Sequence, residues 1–235
     1  MDDLDSTAFT CPGKQDCSQF QDLVSFDLGK VPSYLSITSS SLSCLGSALI
    51  VFAYFYLKDI RTGAQKVITL LAVADFFTAS GYILGSINFL THFNHTAEGG
   101  CSVFRVLCEI QSTITTWSSM CSYCWTCTLA FYFFLILVFN RGNLAAKLMP
   151  LYNVIAWICP MLIVLPLLLT GNLGYAPYVT SNWCFIKDTS YNKSLVTNYR
   201  AISLIFVGAK FWEIMSYFIV IILYLCIKIV LSRVT

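Results

Sequence analysis

Charge is scarce in this chain. Only 11% of its 235 residues are Asp, Glu, Lys or Arg, against roughly a quarter in an ordinary soluble domain. That shortage excludes a globular fold with its whole surface in water. Histidine occurs twice, as His92 and His95 in one short polar segment, which leaves little material for a metal centre or for acid–base chemistry. The formal net charge is +2 and no basic run forms a nucleic-acid footprint. The opening residues 1–5 are acidic, unlike the basic start of a cleavable signal peptide. No nucleophile–base pair, phosphate loop or metal motif is present, so neither an enzyme nor a bound cofactor is expected.

What the chain does have is apolar length. Hydrophobic residues make up 57% of it and the mean hydropathy is +0.72. Five stretches carry this character: 34–57, 67–91, 103–139, 148–170 and 199–231. A helix needs about 20 residues to cross a bilayer. In lipid each backbone polar group must be satisfied within the segment, so each stretch is expected to be helical. The reading is an all-α transmembrane helical bundle in one domain, 34–235, preceded by a polar tail, 1–33. The third and fifth stretches are longer than a bilayer requires and should project or tilt. The first should act as the insertion signal and carry the short acidic tail outward.

The connections set an orientation. Lys58, Arg61, Lys66, Arg141, Lys147, Lys228 and Arg233 fall on one side in short segments, which favours that side as cytoplasmic. Lys14, Lys30, Arg105, Lys187, Lys193 and Arg200 fall on the other, mostly in longer segments where charge weighs less. The tripeptides at Asn94-His95-Thr96 and Asn192-Lys193-Ser194 fit the glycosylation pattern and share that second side. Cys11, Cys17, Cys101, Cys108 and Cys184 share it too, which suits an oxidising exterior. The expected topology is an extracellular N-terminus and a cytoplasmic C-terminus.

Within the stretches a few residues stand out. Asp75 lies in the second, where a carboxylate at membrane depth is costly and should face the bundle interior. It reads either as a functional group or as a protonated or water-bound packing residue. Lys210 and Glu213 lie three apart in the fifth, on one face. They read either as a self-compensating pair that sets helix rotation or as a switch or ligand contact. Cys121, Cys124 and Cys127 imitate a metal spacing. They sit among Trp117, Tyr123 and Trp125 in an apolar helix, where Cys acts as a small hydrophobe, so no metal is expected. Ser112, Thr113, Thr115, Thr116, Ser118 and Ser119 give the third stretch a polar face for neighbouring helices or a wet cavity. Ser39, Ser43, Gly46 and Ser47 give the first a small-residue face for close packing. Pro160 and Pro166 should bend the fourth.

Five blocks in order then carry a resemblance. They are the segment from Lys58-Asp59-Ile60-Arg61 through Leu71-Ala72-Val73-Ala74-Asp75, then Cys108-Glu109-Ile110-Gln111, Ala156-Trp157-Ile158-Cys159-Pro160, Asn182-Trp183-Cys184-Phe185-Ile186 and Lys210-Phe211-Trp212-Glu213. Together they resemble the cyclic-AMP-receptor-like G-protein-coupled receptors, near the secretin-like group. The resemblance implies a seven-helix receptor architecture with its first five helices present here. It implies a plasma-membrane receptor that senses an unknown extracellular ligand and couples, when full length, to a heterotrimeric G protein. Candidate residues for the ligand site or bundle core are Asp75, Glu109, Trp183, Lys210 and Glu213. The resemblance also implies a disulfide between Cys108 and Cys184, with Cys11 and Cys17 pairing locally and Cys101 as the competitor for Cys184. The chain departs from the family pattern after its fifth helix, so it reads as a fragment or short isoform. It lacks the hormone-binding ectodomain of secretin receptors. No Asp-Arg-Tyr motif follows the third helix, where the residues are Leu137-Val138-Phe139-Asn140-Arg141, so no sodium site is carried onto Asp75. The alternatives are a fragment of a polytopic transporter, which would show repeats and broken helices, and a membrane enzyme, which would gather His or acidic residues near one membrane face.

Overall fold

The computed structural model describes residues 26–57, 62–92, 100–174, 183–186 and 199–233. Cys11, Cys17, Asn94 and Asn192, and the side chain of Cys101, lie outside the described residues.

Helices dominate. The first runs Phe26–Tyr56, the second Gly63–His92, the third Gly100–Leu137 and the fourth Met149–Leu169, the last preceded by a short helix, Gly142–Lys147. The fifth is built from Tyr199–Ile205, a wide π turn at Phe206–Lys210, and Phe211–Leu231. All five are long and apolar enough to cross a membrane. Two short strands, β1 (Leu173–Gly174) and β2 (Phe185–Ile186), pair antiparallel with Leu173 opposite Ile186. They cover one end of the bundle, called the sheet end below.

The first three helices outrun the apolar stretches at their starts, the third by beginning at Gly100 rather than 103. The first begins at Phe26, ahead of the expected 34, and holds Pro32 within it. The second begins at Gly63 with the polar turn up to Lys66. Hydropathy marks where a helix meets lipid, and a helix can continue beyond it in polar sequence. At the fourth, Pro150 sits in the first turn, where its missing N–H costs nothing.

The third helix is the axis of the bundle and packs against the second, fourth and fifth, while the first leans on the second. Two apolar clusters line this axis. One gathers Val67, Ala74, Cys121, Trp125, Tyr132, Tyr152 and Ala156. The other, at the sheet end, gathers Met120, Val164, Leu167, Leu173 and Ile186. Trp117 touches both and donates its indole N–H to the Trp157 carbonyl at 3.3 Å. The Trp157 ring lies 5.6 Å from Trp117 and 6.2 Å from Trp125. This aromatic wedge fixes the third helix against the fourth.

Of the small-residue face expected on the first helix, only Ser47 is buried. Ser33, Ser40 and Ser47 are buried, whereas Ser39 and Ser43 are exposed and a Cβ on Gly46 would meet nothing. Cys44 completes the packed face, reaching Ser80 on the second helix at 3.5 Å. Serines occupy so many positions between 36 and 47 that composition alone selects no face. The seven-residue step from 33 to 40 to 47 is the pattern that does.

Candidate functional site

The second and third helices meet along a polar seam. Residues three or four apart share a helix face, and 75, 78, 81 and 85 run down one face antiparallel to 122, 118, 115 and 111 on the other. The Ser122 hydroxyl donates to Asp75 Oδ1 at 2.5 Å, and the Thr78 hydroxyl donates to Ser118 Oγ at 2.9 Å. Gly81 lies directly against the Thr115 hydroxyl. A Cβ on Gly85 would stand 2.9 Å from both Gln111 Cδ and Trp183 Cβ. The two glycines let the helices close until hydroxyls and an amide fill the gap. Each group in this seam thereby keeps a partner out of water, which membrane burial demands.

At the sheet end a loop segment covers the seam. Cys108, at the start of the third helix, is bridged to Cys184 with a Cα–Cα distance of 5.4 Å. The Cys184 backbone N–H donates to Gln111 Oε1 at 2.9 Å, and Gln111 Nε2 donates to Thr115 Oγ1 at 3.0 Å. Trp183 meets Tyr82 edge-on, with ring centres 5.3 Å apart. Ile186 rests on the fifth helix at Gly208, where a Cβ would come within 2.9 Å of it. Four residues, Trp183 to Ile186, therefore touch the second, third and fifth helices at once, and β1 links them to the fourth.

The fifth helix supplies the charge. Lys210 Nζ and Glu213 Oε2 form an ion pair at 2.8 Å. Lys210 closes the wide turn, and Trp212 donates its indole N–H back to the Val207 carbonyl at 2.9 Å. Wide turns of this kind concentrate at functional sites because they re-aim the side chains that follow. The Tyr82 phenol reaches Ser119 and lies within electrostatic reach of both Lys210 and Glu213. Tyr123 lies within reach of Glu213, Tyr82 and Tyr217. Lys210 stands eleven residues after the start of the fifth helix at Tyr199, and Tyr82 ten before the end of the second at His92, so at about 1.5 Å per residue both lie roughly 15 Å in from those helix ends. Lys210 is 57% exposed and Glu213 25%. Charged groups at membrane depth do not face lipid, so this stripe faces a wet cavity or another helix.

Of the residues singled out from the sequence, Lys210 and Glu213 pair with each other on the fifth helix, and Trp183 packs on Tyr82 of the second. Asp75 stands apart, paired with Ser122 deeper in the seam. Glu109 is half-buried beside the Cys108 bridge, and its backbone carbonyl accepts from Ser112 and Thr113. Cys121, Cys124 and Cys127 are free thiols, and Cys127 Sγ contacts the Ser216 carbonyl at 3.9 Å. Sequence reasoning did not single out Tyr82, Gln111 or Ser122. Gln111 carried a usable signal: an amide inside an apolar stretch must find donors and acceptors, and here it finds the loop backbone.

The sequence profile described as "7 transmembrane receptor (Secretin family)" matches residues 30–233. The chain belongs to the secretin family of seven-transmembrane receptors. Relatives in this family include the mouse G-protein coupled receptor 157, 28% identical over 199 residues, which are 84% of this chain and 54% of the relative. The human G-protein coupled receptor 157 is 27% identical over 207 residues, 86% of this chain and 56% of the relative. The chain spans about half the length of the curated relatives it matches. The receptor family accounts for the five helices and the disulfide-tied loop, and neither comparison supports the transporter alternative.

Proposed function

We propose that this chain supplies the first five helices of a receptor that detects a small molecule at the sheet end and passes the signal to a heterotrimeric G protein at the opposite end. The observation that carries the reading is the disulfide-anchored loop segment at the sheet end, which touches the second, third and fifth helices, with the Lys210–Glu213 ion pair on the fifth. Binding there can favour one helix arrangement over another, and a ligand shifts such an equilibrium by its difference in affinity for the two states. In this reading the sheet end is extracellular, as is the N-terminus, and the receptor works at the plasma membrane. In this reading the protein signals rather than catalyses, in keeping with a family of receptors.

The test is G-protein dissociation in cells expressing residues 1–235 alone, or with a separate segment supplying the sixth and seventh helices of the mouse relative. Dissociation is expected only in the second condition, because the cytoplasmic cleft needs those helices. Constitutive dissociation by residues 1–235 alone would contradict the reading, as would none in either condition.

A further inference from the structure

The end of the bundle opposite the sheet carries charge of one sign. Three exposed cations stand there: Lys66 in the first turn of the second helix, Arg141 just past the third, and Lys147 just before the fourth. They ring one apolar plug, because Val67, Leu135, Ala145 and Met149 pack in a single cluster. Lys66 precedes Val67, Lys147 lies between Ala145 and Met149, and the Arg141 carbonyl accepts from the Ala145 N–H at 3.1 Å. Asn140 takes a φ of 52°, and the chain turns back so that the Arg141 N–H donates to the Leu135 carbonyl at 3.1 Å. Gly63 lies against the Tyr132 hydroxyl, which holds the start of the second helix to the third. Among the described residues none of the three cations has an ion pair, and the nearest carboxylate along the second helix, Asp75, is nine residues beyond Lys66. Asp59, between Lys58 and Arg61, lies outside the described residues.

The wall beside these cations is aliphatic. The junction at Leu148 stays helical, with the Leu148 N–H on the Leu144 carbonyl and the Tyr152 N–H on the Leu148 carbonyl. Leu144 and Leu151, both exposed, therefore flank Lys147 on one face. That face continues into the span as Ile155, Ile158 and Leu162, all exposed. A basic head on an apolar stem suits such a border, with the stem along the wall and the charge at its edge. An acidic protein would answer the cations and leave the wall uncovered. An anionic lipid answers both, since its headgroup meets the charges while its chains lie on the wall.

We propose that Lys66, Arg141 and Lys147 seat the headgroup of an anionic glycerophospholipid of the phosphatidylserine kind, with its acyl chains along the exposed face of the fourth helix. The seat is independent of the receptor reading, because headgroup preference can be measured whichever way the bundle faces. The experiment places residues 1–235 in nanodiscs of equal parts phosphatidylcholine and phosphatidylserine and counts the lipids retained by native mass spectrometry. Phosphatidylserine should be retained in preference. Lys66→Gln, Arg141→Gln and Lys147→Gln should each lower the preference by up to about fivefold, the worth of one basic residue at an anionic surface, and the triple variant should abolish it. The control is Lys228→Gln/Arg233→Gln, which removes two exposed cations from the last turns of the fifth helix and should keep the preference. Amide exchange on the peptide spanning 141–148 should be slower in phosphatidylserine nanodiscs than in phosphatidylcholine alone. An unchanged thermal midpoint in detergent marks each variant as folded. Equal retention of the two lipids by the unmodified chain overturns the proposal and leaves the cations to a protein partner. So does a control pair that lowers the preference as much as the triple variant, since the field of the whole end would then be acting rather than a seat. Exchange on 141–148 that ignores the headgroup overturns it too.

Discussion

Gln111 is the residue whose removal should speak most clearly. It is buried in the seam, and its Oε1 holds the Cys184 N–H at 2.9 Å while its Nε2 donates to Thr115 at 3.0 Å. Gln111→Met keeps the side chain's length and removes both bonds. Thr115 retains its own donation to the Gln111 backbone carbonyl at 2.8 Å, so the unsatisfied group is the Cys184 N–H, on a residue only 3% exposed. Leaving a buried donor unmet costs about 1–3 kcal/mol, a factor of about 5 to 150 in the opening equilibrium of the loop. Amide hydrogen exchange on the peptide spanning 183–186 measures that opening directly, and its rate should rise within this range. Gln111→Glu keeps an acceptor for the same N–H and should exchange close to the unmodified chain. Unchanged exchange in Gln111→Met would refute the reasoning, and so would equal acceleration in both variants, since the hydrogen bond would then not be what seats the loop.

Removing the bridge itself by Cys108→Ser, across a sequence separation of 76 residues, should lower stability by about 2–4 kcal/mol, read as a fall in thermal midpoint in detergent. Gly81→Val forces a side chain into the Thr115 hydroxyl and should cost about 1–3 kcal/mol by overpacking; an unchanged midpoint would mean the seam is looser than described. Asp75→Leu and Ser122→Ala share one hydrogen bond at 2.5 Å, so their losses should be non-additive by about 0.5–3 kcal/mol in a double-mutant cycle. For the fifth helix, surface expression of Lys210→Met and Glu213→Leu should each fall below that of the double variant, because the singles leave a charge uncompensated; additive losses would show that the two do not compensate each other.

How far the sequence carries the structure depends on which force sets each feature. The five helices were legible because lipid imposes a minimum apolar length and an internally bonded backbone, and both leave marks in composition. The Lys210–Glu213 face was legible for the same kind of reason: helical spacing puts residues three apart together. The packed face of the first helix was not. Ser33, Ser40 and Ser47 are chemically the same as Ser39 and Ser43, and only the second helix decides between them. Nor was the seam legible as a seam. Asp75 could be flagged as costly, but its partner Ser122 is 47 residues away and is one hydroxyl among many on its helix. The role of Gln111 likewise depends on a backbone N–H in the segment after β1, a non-local meeting that no local pattern encodes. At the π turn, Ile186 and Leu167 seat against Gly208, a non-local contact, and Phe206-Val207-Gly208-Ala209-Lys210 carries no turn signal stronger than its glycine.

Everything functional here turns on which way the bundle faces, because the loop-covered end can sense an outside molecule only if the sheet end is extracellular. The direct measurement is side-specific detection of an N-terminal epitope on intact cells, together with the glycan state of Asn94 and Asn192. The expected result is epitope staining without permeabilisation and a glycosidase-sensitive mass shift that is lost when both asparagines are changed to Gln. Staining only after permeabilisation, with neither asparagine modified, would put the sheet end on the cytoplasmic side and contradict the account.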